Sequence, residues 1–224
     1  MRAKFTSTRI IYRQYPSFYF LANEMAQRAW LCTERRDTSR YCTGALVLSY
    51  TCIETFANHM LFSDEYAVHR VFKDMSKELT ERMERMSLSE KIEVAIRFHP
   101  DANPTSFKPG SEPFQTFDLL RQLSNYLVHY LPEWELVWSD TDAHIKEAKK
   151  LEKRIGGRFK HMRIDEVTEL SDAPTFVDRV FNQHCARWAF ESVQPILDGI
   201  SRALDVPEAR LPIHWQFDEK PKHA

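Results

Sequence analysis

An all-α fold is the architecture this sequence predicts, and three observations point to it. Glycine occurs only 5 times in 224 residues, which leaves almost none of the turn chemistry that tight β-hairpins require. Apolar residues recur at three- and four-residue steps through most of the chain, the helical period. One segment, ALVLSYTCIETFANHML, is apolar on nearly every side and so belongs in the middle of a bundle.

The elements follow in order. Residues 1–15 form an N-terminal arm with room for an irregular strand from Arg9 to Tyr15. Pro16 and Ser17 open a first helix that runs to about Arg36, with Phe18, Leu21, Met25, Ala29 and Cys32 along its apolar face. Thr38 or Ser39 caps the second helix, the apolar one. A third, from about Asp64 to Met86, is highly charged and expected at the periphery. Ser87, Ser89 and Glu90 supply cap chemistry for a short fourth helix ending near Phe98. The loop HPDANPTSFKPGSEP is long enough to be functional or mobile.

A fifth helix runs from about Pro113 to Leu131 and stops at Pro132. A sixth covers roughly Thr141 to Ile155 and ends at Gly156-Gly157. The last helical stretch, Pro174 to Leu204, must be kinked or split by Pro195, because an interior proline removes a backbone donor and clashes with the preceding turn. Residues 16–206 thus make one domain, and 207–224 a tail.

Composition narrows the function classes. Hydrophobic residues are 43% and charged residues 28% of the chain, a globular rather than disordered balance. The net charge of -1 excludes coating of nucleic acid through bulk charge, so any polyanion site is local. There is no GxGxxG, GxxxxGK[ST] or GxSxG motif, which leaves nucleotide-loop and serine-hydrolase readings without support. Cys32, Cys42, Cys52 and Cys185 form no CxxC pair, and the histidines form no HExxH or Cys/His cluster, so neither a metal nor another cofactor is expected. No signal peptide and no apolar run long enough for a membrane span is evident, and a cytoplasmic location with reduced thiols is the expectation.

The stretch Phe117-Asp118-Leu119-Leu120-Arg121-Gln122-Leu123-Ser124-Asn125-Tyr126-Leu127-Val128-His129-Tyr130 resembles the signature helix of the HEPN superfamily, which often reads Leu-Arg-Asn-x-Leu-Val-His-Tyr. The apolar helix with Glu54 and Asn58, and the segment Leu88-Ser89-Glu90-Lys91-Ile92, are similar to elements upstream of that signature. The likeness spans about residues 39–132. It implies a HEPN-like helical bundle, here with additional C-terminal helices, and a homodimer in which two motif helices face each other. Many members are metal-independent endoribonucleases of prokaryotic defence or toxin-antitoxin systems. Others are inactive and serve as antitoxins, dimerisation modules or protein-interaction scaffolds. This chain departs from the motif in having Ser124 where arginine directly precedes the asparagine.

The chemistry makes that departure important. Cleavage of RNA by its own 2′-hydroxyl needs a group that moves protons near neutral pH, a role for histidine, and one that stabilises charge on the phosphate, a role for arginine. Arg121, Asn125 and His129 stand four residues apart and advance only about 40° per step, forming one strip with Asp118 and Gln122 beside it. Ser124 turns instead toward Leu120, Leu127 and Leu131. The resemblance makes Asn125 and His129 candidate catalytic residues, and the spacing adds Arg121 to them. The plain alternative for His129 is a helix C-terminal histidine favoured by the macrodipole.

Glu54, Asn58 and Ser124 are candidate supporting residues; Glu54 and Asn58 either back the His129 strip or form a buried interhelical hydrogen bond. Lys146, Lys149, Lys150, Lys153, Arg154 and Arg158 either contact RNA phosphates or form the solvated face over Ile145, Ala148, Leu151 and Ile155. Trp134, Trp138 and Trp188 are expected as core or interface anchors. Two functions remain open at this point, an RNA-binding or RNA-cleaving protein and a non-catalytic interaction module.

Overall fold

The computed structural model describes residues 14–62, 85–98, 102–128 and 180–206 with single positions at 82, 153, 157 and 211, and six helices lie within these ranges. They are α1 (Tyr15–Leu31), α2 (Arg35–Phe62), α3 (Leu88–Phe98), α4 (Glu112–Val128), α5 (Gln183–Glu191) and α6 (Val193–Ala203). The fold is all-α, as expected, with no strand among the described residues. Residues 9–13 of the expected strand lie outside the described set, and Tyr15 is helical and buried in the core rather than part of an arm.

α1 buries Tyr15, Tyr19, Ala22, Asn23, Ala26 and Ala29. The expected face is thereby corrected, because Leu21 stands 43% exposed while Phe18 and Met25 are only partly buried. The small side chains at 22, 26 and 29 allow close approach to α2. Gly44 contributes to the same closeness, since a Cβ there would lie 3.0 Å from Met25 Cγ. The chain leaves the helix at Cys32, whose ψ of 137° is extended, so α1 ends before the expected Arg36. Thr38 is not a cap. Its Oγ1 donates to the Glu34 carbonyl at 3.0 Å, the back-bond typical of a threonine already inside a helix.

α2 packs against every other described helix, the position its all-round apolar surface demands. α3 opens with a reciprocal capping box in which Ser87 N donates to Glu90 Oε2 at 2.8 Å and Glu90 N donates to Ser87 Oγ at 3.4 Å. The loop before α4 is packed down. Phe107 is 3% exposed and meets Phe114 and Phe117, while Asn103 N donates to the Ala203 carbonyl at 3.0 Å. Gly199 of α6 makes room for this loop, since a Cβ there would come within 2.8 Å of Pro113 Cβ.

Pro195 divides the last helical stretch at Ser192 and occupies the first turn of α6, where its missing donor costs nothing. A second break, at Asn182, has no counterpart among the expected elements. The Asn182 side chain caps α5 by accepting from His184 N and Cys185 N at 2.9 and 3.0 Å. α6 ends in a Schellman turn, with Asp205 at φ 48° and Val206 N donating to the Ser201 carbonyl at 3.0 Å.

All six helices feed one apolar core, against which Val206 and Leu211 also pack. Trp188 lies in that core, whereas Trp134 and Trp138 lie outside the described residues. Arg82 and Arg85 are helical, within the expected third helix. Gly157, expected to end a helix, is itself helical. Among the described residues no helix is long and apolar enough to cross a membrane.

Candidate functional site

The side of α2 that carries Tyr50, Glu54 and Asn58 brings these residues into line, because a four-residue step returns to nearly the same helical face. Two other helices close on this line. From α4 the Phe117 ring stacks on Tyr50 with centroids 6.3 Å apart, and from α3 Lys91 Nζ donates to Asn58 Oδ1 at 3.2 Å. Tyr50, Glu54 and Asn58 are half-buried, and Lys91 is only 7% exposed. Of the two roles open to Asn58, the interhelical hydrogen bond is present, with Lys91 of the LSEKI segment as its donor.

From α4 the charge of Arg121 reaches the same seam. Its Nη2 donates to Asp118 Oδ1 at 2.8 Å, and Gln122 Nε2 donates to Asp118 Oδ2 at 2.7 Å. The Arg121 and Asp118 side chains are 30% and 24% exposed. Across the seam Tyr50 senses both the Glu54 carboxylate and the Arg121 guanidinium. Burial is the larger influence on its phenol and the Glu54 charge adds to it; Arg121 opposes them, and the result is a value pushed up to about 12. Tyr50 thus keeps its phenolic proton at ordinary pH. Arg121 Nε is buried and has no hydrogen-bond partner among the described residues.

The expected strip is divided by this arrangement. Arg121 is partly buried and paired with Asp118, Asn125 is exposed, and His129 lies outside the described residues. Ser124 is 4% exposed and faces the core, on the side of Leu120 and Leu123. Of the supporting residues, Glu54 joins Arg121 around Tyr50, whereas Asn58 pairs with Lys91. Lys153 is exposed, and Lys146, Lys149, Lys150, Arg154 and Arg158 lie outside the described residues.

Tyr50 and Lys91 are the seam residues that pattern reading missed as a site. Tyr50 stands one turn before Glu54, a spacing that marks it as a third polar position on the same face. The seam combines two carboxylates, Glu54 and Asp118, with two cations, Lys91 and Arg121, and none of its described ionisable groups is a histidine. Compared with protein-family models, curated proteins and solved structures, the chain matches none.

Proposed function

We propose that this chain is a HEPN-like interaction module that works by binding, as a homodimer and with a protein partner, without cutting RNA. The observation that carries this reading is the burial of Ser124 at 4% exposure. Position 124 corresponds to the arginine of the family motif, and here it faces the core. An arginine at that position would meet packed apolar side chains rather than a phosphate, so the loss of the family arginine agrees with the packing around it.

The second reading is a metal-independent endoribonuclease centred on Arg121, Asn125 and His129. It is favoured by the gathering of Arg121, Tyr50 and Glu54 in one partly open seam. Against it stands the engagement of Arg121 with Asp118, which already occupies one edge of the guanidinium.

Incubation of the protein with RNA in the presence of a chelator separates the two. The interaction-module reading expects no cleavage above that of a His129→Ala preparation. Cleavage by the native protein that is lost in both His129→Ala and Arg121→Ala would overturn it and establish the ribonuclease. Light scattering at tens of micromolar, a concentration on the order of the dissociation constants of weak functional dimers, is expected to give the mass of two chains, and a monomer would remove the homodimer from the proposal.

A further inference from the structure

The outer face of α1 keeps apolar surface in water. Among the described residues the exposed large apolar side chains are Phe20, Leu21 and Leu31, at 54%, 43% and 63%, and all three lie on this one helix. With Glu24 and Arg28 they share about 100° of its circumference, opposite the face of Tyr19, Ala22, Ala26 and Ala29 that joins the core. Single exposed apolar residues are ordinary, whereas a cluster of them on one helix face marks a contact surface.

The order of these residues along the helix is its own complement. Leu21 and Leu31 stand five residues either side of Ala26, and Glu24 and Arg28 two residues either side of it, with Phe20 one place beyond Leu21. A second α1 laid antiparallel, on a two-fold axis level with Ala26, therefore sets Phe20 and Leu21 against the partner's Leu31 and Glu24 against the partner's Arg28. The same contacts repeat on the other side of the axis. A parallel copy in register would instead set like charges side by side, Glu24 next to the partner's Glu24. The charges are already in place, since Arg28 Nη2 lies 2.7 Å from Glu24 Oε1 and its guanidinium 5.9 Å from the centre of the Tyr41 ring, with both side chains about half exposed.

We propose that the outer face of α1 docks a second copy of this chain, the two helices antiparallel, with apolar contacts at both ends and a cluster of Glu24 and Arg28 from each copy at the centre. Resting on the homodimer proposed above, this arrangement moves the contact from α4, where the resemblance puts it, to α1. The three apolar side chains offer on the order of 300 Å² per chain. Twice that is less than the roughly 1,200 Å² of a stable complex, so the dimer is weak and reversible, and its charges set register more than strength. The opposed macrodipoles of the two helices add a small favourable contribution.

The test is sedimentation equilibrium of the full chain from about 10 to about 300 μM, a range that brackets weak functional dimers. The native chain is expected to dimerise reversibly. Glu24→Arg and Arg28→Glu, which each place like charges across the two-fold axis, are expected to dimerise at least about tenfold more weakly. An equimolar mixture of these two variants is expected to recover a dimer, because opposite charges then meet on both sides of the axis. Leu31→Ser weakens dimerisation as well. All three positions are exposed, so circular dichroism of each variant should match the native chain. Native-like dimerisation by both charge variants would overturn the α1 contact and leave the homodimer itself standing on another face. Weakened variants that do not recover on mixing would overturn the antiparallel arrangement. A native chain that stays monomeric throughout the range would remove the homodimer and this contact together, leaving the face to a different protein.

Discussion

α2 has two flanks that settle its polar groups differently. On the flank that touches α1 and α5, Cys42, Leu46, Ile53 and Phe56 are all 0% exposed, and Phe56 meets Tyr15 edge-on at 5.2 Å. On the flank toward α3 and α4, Tyr50, Glu54 and Asn58 remain partly exposed and make their contacts through charge and hydrogen bonds. The contrast shows where this fold draws its stability and where it keeps chemistry. The apolar flank gains from area removed from water, whereas in the polar flank desolvation of charged groups offsets most of what their pairing contributes.

The largest expected effect lies on the apolar flank. Phe56→Ala removes a fully buried aromatic ring and leaves a cavity that the helices fill only in part, at a cost of roughly 3–5 kcal/mol. Urea denaturation of the variant against the native protein measures it. A loss below about 1 kcal/mol would mean that this flank is loosely packed and that the contrast between the two sides is false.

What could be read from the sequence divides along the same line. The central place of α2 and the Ser87–Glu90 cap follow from patterns that a single segment carries whole. The buried face of α1 does not, because α1 has apolar residues on two sides, with Tyr15, Tyr19 and three alanines on one and Phe18, Phe20 and Leu21 on the other. Close approach to α2 decides between them, and that is a property of the pair. Thr38 and Asn182 make the same point for helix ends. Threonine both caps and back-bonds, and whether the helix starts before or after it depends on the neighbouring chain. In the seam, spacing sets Arg121 and Asn125 on one strip of α4, whereas the pairing of Arg121 with Asp118 and the exposure of Asn125 depend on how α4 is rotated against α2.

A smaller effect is expected from Tyr50, and it appears only in alkali. Its phenol is held up at about 12 against an ordinary value of 10.0, chiefly by burial. The folded value lies above the unfolded one, so the contribution to stability is complete below pH 10 and is lost as the pH rises through 12. Two pH units set a ceiling of about 2.7 kcal/mol, which partial exposure reduces to about 1 kcal/mol. The native protein and Tyr50→Phe are therefore expected to differ in stability by a constant amount below pH 10, with the variant gaining on the native protein above it. Parallel curves up to pH 12 would show that Tyr50 is open to solvent and that the seam is wetter than described.

The smallest expected effect is that of Arg121→Met, and its smallness is informative. The ion pair with Asp118 joins side chains that are 30% and 24% exposed and stands at a three-residue helical spacing, a geometry worth about 0.3–1 kcal/mol. Arg121 Nε is buried without a partner among the described residues, which costs on the order of 1–3 kcal/mol. Methionine keeps much of the apolar stem and removes both contributions, while Asp118 retains its bond from Gln122. The substitution is expected to change stability by no more than about 1 kcal/mol in either direction. A loss above about 2 kcal/mol would make the polar flank a structural network like the apolar one. A change near zero means that stability does not require the guanidinium, so that any loss of partner binding or of RNA cleavage in the same variant reports on what Arg121 does rather than on whether the chain folds.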